Sequence, residues 1–200
     1  MSTLVRRLAG ILLLSVAFVS GASAQVAFSL HGTVASTTLD DSKVKGGLGA
    51  NLKFFLGDNL AVGAAVKYIS LSYESTKVGG QSVRSVGSLI PITGSVDYYF
   101  TKGFVRPYIG GEVGAYIHRY DLEYNGSNVY NSTNTRLGAT PKLGVTFALG
   151  NFGIFAEGNY HFIFSNKDGS ANIGSANNVS FKNPDKLWGL NVGITFGLPK

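Results

Sequence analysis

Apolar and polar side chains alternate with a period of two residues through most of the chain. In the segment 105–119, for example, Val105, Ile109 and Val113 are apolar, whereas the residues at even positions are polar, small or amphipathic. The same alternation occurs in eight segments, namely 26–34, 48–56, 60–67, 90–100, 105–119, 137–147, 152–164 and 188–196. Because successive side chains of a β-strand point to opposite faces, the pattern predicts eight strands, each with one apolar and one polar face.

The connections between these segments alternate in length. Three are short and contain residues that favour tight turns, at 57–59, 101–103 and 150–151. Four are long and polar, and they run approximately over 36–45, 74–84, 121–134 and 165–186. With an even number of antiparallel strands, both termini lie on the side of the short turns. Outer-membrane β-barrels have short periplasmic turns and long outer loops, so the pattern predicts periplasmic termini.

Charged residues in the middle of the strands distinguish a membrane barrel from a soluble one. A soluble barrel turns its apolar face inward, whereas a membrane barrel points its polar face into the lumen. Eight strands enclose an interior just wide enough for side chains to fill, which leaves no aqueous channel. Because an unpaired buried charge is strongly disfavoured, we predict a paired network in the lumen. Its predicted members are Lys53, Lys67, Asp97, Arg106, Glu112, Lys142 and Glu157.

Aromatic residues collect near the predicted strand ends. Membrane barrels carry girdles of aromatic residues at both interfaces of the bilayer. The predicted girdle residues are Phe54, Tyr98, Phe100, Tyr116, Phe147, Phe152, Phe162 and Trp188. Most segments also have the nine to eleven residues, approximately, that a tilted strand needs to cross a bilayer. The sequence therefore predicts an all-β protein, an eight-stranded antiparallel up-and-down transmembrane β-barrel.

The first 24 residues have the features of a secretory signal peptide. Arg6 and Arg7 precede an apolar stretch over 8–19, and the small residues 22–24 form a cleavage site. The apolar stretch is too short for a membrane-spanning helix, which needs about 20 residues. We therefore predict a signal peptide over 1–24 and a barrel domain over 25–200.

Two segments resemble the OmpA/OmpX and opacity-protein superfamily of small outer-membrane β-barrels. These are 107–114, with the sequence PYIGGEVG, and 152–157, with the sequence FGIFAE. The resemblance implies eight antiparallel strands, a plugged interior of paired charges and variable surface loops. Members of the superfamily serve as adhesins, envelope stabilisers or immune-evasion proteins. Such barrels usually finish on an aromatic residue, whereas Phe196 is followed here by the residues 197–200.

Catalytic and metal-binding chemistry has little support in the sequence. The three histidines, His31, His118 and His161, are scattered, and none has the serine pairing of lipid A deacylases. The chain has no cysteine, and no metal-ligand spacing recurs. We therefore predict no catalytic residue, no metal and no cofactor. A narrow porin-like channel and, less favoured, a lipid A-modifying enzyme remain as alternatives to a structural or adhesive barrel.

The expected partners follow from the predicted outer end of the barrel. We expect the phosphates of outer-membrane lipid and lipopolysaccharide to bind a group of basic residues there, since Lys and Arg bind phosphate. The group comprises Lys43, Lys45, Lys77, Arg84, Arg119, Arg136, Lys182 and Lys186. A host or cell-surface ligand would bind through the loops, because exposed loops on a rigid scaffold commonly carry binding. No clustered basic stripe or recognition motif indicates nucleic-acid binding.

Overall fold

The residues that the computed structural model describes form β-strands joined by turns. These are residues 25–37, 44–72, 76–78, 81–124, 127–164, 169–173, 177–181 and 186–199. The predicted signal peptide over 1–24 lies outside them. In the described part of the chain, no helix is long and apolar enough to cross a membrane.

The described residues form eleven strands. They are β1 (Gln25–Thr37), β2 (Lys45–Leu56), β3 (Leu60–Ser72), β4 (Thr76–Val78), β5 (Gln81–Tyr99), β6 (Val105–Tyr124), β7 (Ser127–Leu149), β8 (Phe152–Ile163), β9 (Gly169–Ile173), β10 (Asn177–Phe181) and β11 (Lys186–Phe196).

Eight of these strands close into a barrel. Each pairs antiparallel with its neighbours in the ring β1-β2-β3-β5-β6-β7-β8-β11, and β11 returns to pair with β1. In the β1–β11 pairing that closes the ring, Phe28 lies opposite Phe196 at one end and Thr37 lies opposite Leu187 at the other. The prediction of an eight-stranded antiparallel barrel is confirmed.

The short connections lie where the sequence predicts them. Gly57 and Gly150 adopt positive φ angles of 76° and 68° at the β2–β3 and β7–β8 turns. Glycine adopts this left-handed conformation without the steric penalty that a Cβ would add, so these positions terminate the strands.

Pairing extends further into the long connections than the sequence predicts. The β6–β7 ladder continues to the pair Tyr124 and Ser127, with one irregularity at Leu122 and Glu123. β4 extends the second connection by pairing with β5, and β9 pairs with β10 as a separate hairpin. The polar composition of these segments suggests loops, but a continued ladder satisfies the backbone N–H and C=O groups equally well.

The two faces of the barrel have opposite polarity. Large apolar side chains point outward, and Val113, Leu137 and Leu143 are 66%, 70% and 69% exposed. The side chains at the alternate positions are buried inside the barrel, and many of them are polar or charged. The alternation of side chains therefore places the polar face in the interior.

Candidate functional site in the barrel interior

Inward-facing side chains form three layers along the barrel axis. The turn-side layer, near the short turns, is a buried cluster of Ala27, Phe55, Ala61, Tyr99, Tyr108, Ala148 and Leu198. The loop-side layer, near the long connections, is a buried cluster of Ala35, Ile69, Leu71, Leu89, Tyr116, Ile163 and Leu187. On β6, Tyr108 belongs to the first, Tyr116 to the second, and the buried carboxylate of Glu112 lies between them. The polar layer thus lies between two apolar clusters.

Lys142 on β7 is the centre of the polar layer. Its Nζ lies 3.0 Å from Asp97 Oδ1, 3.2 Å from Glu112 Oε1 and 3.5 Å from Glu157 Oε2. These carboxylates come from β5, β6 and β8, so one ammonium group connects four strands. The sequence shows only that each of these side chains shares the inward face of its strand.

Two further lysines complete the ion pairs. Lys53 Nζ lies 2.8 Å from Asp97 Oδ2, and Lys67 Nζ lies 3.0 Å from Glu112 Oε2. The polar layer therefore contains three ammonium groups and three carboxylates, and its formal charge is zero. None of the six residues is more than 6% exposed. Balanced charge is what a buried ionic cluster requires, because each ion loses its hydration on burial.

Neutral donors add hydrogen bonds to two of the three carboxylates. Tyr108 Oη donates to Glu157 Oε2 over 2.9 Å, and Asn191 Nδ2 donates to Glu157 Oε1 over 2.8 Å. Thr93 Oγ1 donates to Glu112 Oε2 over 3.0 Å. Hydrogen bonds of this kind offset the cost of burying the ions. Together with the ion pairs, they join the layer into one connected network.

Arg106 lies in the interior but does not join the carboxylates. Its Nε donates to the carbonyl of Gly103 over 2.9 Å, and one terminal nitrogen donates to the carbonyl of Pro199 over 2.8 Å. Glu112 lies about 20 Å further along β6, at roughly 3.3 Å per residue. The predicted inclusion of Arg106 in the charge network was wrong, since the shared face says nothing about height in the barrel.

Tyr116 lies inside the barrel, so its predicted place in the aromatic girdle was wrong. It occupies an even position on β6, as Glu112 does, and its side chain is fully buried. Its hydroxyl is hydrogen-bonded to Thr140 Oγ1 and lies 3.2 Å from His161 Nδ1. A tyrosine suits either environment, because its ring is apolar and its hydroxyl can be satisfied inside.

Thr140 and His161 form a hydrogen-bonded pair that sequence reasoning does not find. Thr140 Oγ1 lies 2.7 Å from His161 Nδ1, and both side chains are buried. Their inward parity is visible in the sequence, but their contact depends on the β7–β8 register. No group of three or more His, Cys, Asp and Glu residues in the described chain could hold a metal ion.

The other predicted girdle residues lie on the outer wall. Tyr98, Phe100, Phe147, Phe162 and Trp188 are exposed there. Phe54 and Phe152 are half-buried, and the ring of Phe152 lies 5.3 Å from that of Phe196. Phe162 and Trp188 lie toward the long connections, and the others lie near the short turns.

The predicted basic group is only partly at the surface. Arg119 and Lys186 are exposed on the outer wall, and Lys45 is half-buried. Arg136 is buried inside the barrel, so its predicted place on the outer surface was wrong. It occupies an even position on β7, where the inward face also carries Thr140 and Lys142. The remaining members, Lys43, Lys77, Arg84 and Lys182, have side chains outside the described part of the chain.

The fold has counterparts among solved structures. No family model matches the chain, and no curated protein matches it. Neisserial surface protein A (NspA) is 20% identical, with a TM-score of 0.53 over 88% of this chain and 98% of that one. OprG from Pseudomonas aeruginosa is 15% identical, with a TM-score of 0.61 over 88% of this chain and 95% of that one.

A third structure extends the comparison. Ail, the attachment invasion locus protein of Yersinia pestis, in complex with the heparin analogue sucrose octasulfate, is 12% identical. Its TM-score is 0.54, over 86% of this chain and 96% of that one. The match thus covers nearly the whole of each of these outer-membrane proteins. The chain has the fold of the small outer-membrane β-barrels of the OmpA and OmpX type, which its sequence resembles.

Proposed function

We propose that the protein is an integral barrel of the outer membrane of a Gram-negative-type bacterium, with a sealed lumen and an envelope-structural or surface-interaction role. In this proposal the signal peptide over 1–24 is removed, and residues 25–200 form the barrel. The termini and short turns face the periplasm, and the four long connections face outward. We assign the barrel no catalytic activity and no cofactor.

The inverted polarity of the barrel carries this proposal. Val113, Leu137 and Leu143 are each about two-thirds exposed in the middle of the outer wall. A soluble protein rarely exposes a continuous apolar surface, whereas a bilayer solvates one. β11 has 11 residues and β8 has 12, and tilted strands of about nine to eleven residues cross the hydrocarbon core.

The layered interior supports a sealed lumen. An ion entering from either mouth meets a layer of packed apolar side chains, where it would lose much of its hydration. Between these layers, each lysine of the polar layer is already paired with at least one carboxylate. Removing a carboxylate from these partners is costly, because it leaves a buried charge unpaired. We therefore favour a structural plug over a porin-like channel.

Planar bilayer recordings test the seal. Purified barrel inserted into a bilayer should give no single-channel steps in potassium chloride, because the interior is filled. A porin of known conductance, added to the same bilayer, verifies that the recording detects insertion events. Reproducible steps from the purified barrel would favour the porin-like alternative and contradict the sealed lumen.

Protease treatment of intact cells tests the orientation. Trypsin should cleave only within the long connections, since these carry the basic residues that would lie outside the cell. The short β5–β6 turn contains Lys102, which should be cut only after the outer membrane is permeabilised. Cleavage at Lys102 in intact cells would show that the barrel has the opposite orientation.

The proposed partners are lipopolysaccharide and a ligand on another cell. Arg119 and Lys186 are exposed on the outer wall on the side of the long connections, where lipopolysaccharide phosphates would lie. Phe162 is paired with Lys186 and Tyr160 with Trp188, so an aromatic surface adjoins the lysine. Binding of the purified barrel to phospholipid vesicles with and without lipopolysaccharide measures this contact.

A further inference from the structure

Beyond β11 the chain turns into the mouth of the barrel instead of continuing along the wall. Phe196 is the last outward-facing aromatic residue, and Gly197 follows it with a φ angle of 81°. A Cβ at Gly197 would collide with the backbone carbonyl of Val26 on the neighbouring strand. The turn therefore requires glycine both for its left-handed conformation and for its close approach to β1.

The inward turn inserts Leu198 into the turn-side layer. Leu198 is 1% exposed and packs in the same cluster as Phe55, Tyr99 and Tyr108. Gly153 on β8 leaves space for it, because a Cβ there would lie 2.8 Å from Leu198 Cδ1. The apolar layer at this mouth is thus completed by a residue that belongs to none of the eight barrel strands.

Hydrogen bonds from three parts of the barrel hold this segment. The backbone N–H groups of Gly197 and Leu198 donate to the carbonyl of Asn151, over 2.7 and 3.2 Å. Gln25 Nε2 donates to the carbonyl of Leu198 over 2.8 Å. Arg106 donates to the carbonyl of Pro199 over 2.8 Å, which explains why this buried cation lies apart from the carboxylates of the polar layer.

We propose that residues Gly197–Pro199 form a latch that closes the short-turn mouth of the barrel. Leu198 is the stopper, and Arg106 is the positioning residue that fixes the latch through the carbonyl of Pro199. The latch is one half of the seal of the proposed function, and the loop-side layer is the other half. Opening the latch therefore admits water to the turn-side half of the interior without creating a path across the membrane.

Thiol labelling tests the latch directly, because the chain has no cysteine of its own. Ala61→Cys places a single thiol in the turn-side layer, and Ala35→Cys places one in the loop-side layer. Both are labelled with a charged methanethiosulfonate reagent in detergent micelles, where both mouths are accessible. Leu198→Ser is then added to each, and heat-modifiable gel mobility verifies that the barrels are folded.

We expect Leu198→Ser to accelerate labelling of Ala61→Cys by about ten- to a hundredfold, since a lost leucine contact favours local opening. Labelling of Ala35→Cys should not change. Leu198→Met, which conserves volume, should retain slow labelling. If Leu198→Ser does not fold, Arg106→Met removes the donor to Pro199 while keeping an aliphatic side chain, and should accelerate the same label.

The result separates the latch from the proposed function. Unchanged labelling of Ala61→Cys in a folded Leu198→Ser or Arg106→Met barrel would overturn the latch, whatever the bilayer recordings show. Equal acceleration at both cysteines would overturn it too, because the barrel would then be loosened as a whole. Conductance of the unaltered protein would overturn the sealed lumen. If neither the unaltered protein nor Leu198→Ser conducts, the result agrees with a latch at one mouth and a second sealing layer at the other.

Discussion

Replacing Lys142 with methionine should lower the free energy of unfolding by about 3–5 kcal/mol, the range for breaking a buried ion pair by removing one partner. Lys142 is 3% exposed and its ammonium group lies within 3.5 Å of three carboxylates. Without it, two ammonium groups face three carboxylates in an enclosed layer, and a net negative charge is left without hydration. Methionine fills a similar volume, so the loss reports the charge and not a cavity.

Lys102 supplies the matched control. It pairs with Asp58 between two short turns, and the side chains of this pair are 54% and 61% exposed. An exposed pair contributes about 0–1 kcal/mol, so Lys102→Met should leave the unfolding midpoint nearly unchanged. Urea unfolding in lipid vesicles can be followed by the fluorescence of Trp188, the single tryptophan. Equal midpoints for Lys142→Met and Lys102→Met would contradict a structural role for the polar layer.

An arginine at Val113 should destabilise the folded barrel in a bilayer by about 2–4 kcal/mol, the cost of a lipid-facing cation at the midplane. Val113 is 66% exposed and lies opposite Gly94 and Ala139, in the middle of the outer wall. On a water-soluble barrel the same change would be harmless, since it adds a charge to an exposed position. The substitution therefore tests whether lipid surrounds this wall.

Phe104 gives the depth control for that test. It is 57% exposed beside the β5–β6 turn, where the outer wall would meet the interface. Arginine there should cost only about 0–1 kcal/mol, because the cost of a lipid-facing cation decreases toward the interface. The measurement is the fraction folded in phospholipid vesicles as a function of urea. Equal tolerance of Val113→Arg and Phe104→Arg would contradict a membrane-spanning wall.

The strands could be predicted from the sequence because alternation is a local property. Whether Lys53 or Val113 faces inward depends only on its parity within a strand, and a one-residue error would reverse every side chain. The long connections were less predictable. The β6–β7 ladder continues to Tyr124 and Ser127, although this segment contains mostly the polar residues that are also common in loops.

The contacts inside the barrel could not be predicted in the same way. Arg106 shares the inward face with Asp97, but the β5–β6 register pairs Asp97 with Gly110, four residues further along β6. Thr140 meets His161 only because of how β7 registers against β8. Parity gives the direction of a side chain, whereas a contact also needs the relative heights of strands that are distant in the sequence.

The pairing of the first strand with the last also governs when the protein can form. Ser29 Oγ donates to Thr195 Oγ1 over 2.9 Å, across 166 residues of chain. No β1–β11 hydrogen bond can exist before the last strand has been synthesised, so the N-terminal strands emerge with an unpaired edge. Folds rich in such distant contacts form slowly, and an open apolar edge invites aggregation. We therefore expect the chain to need protection from aggregation between its synthesis and the closure of the barrel.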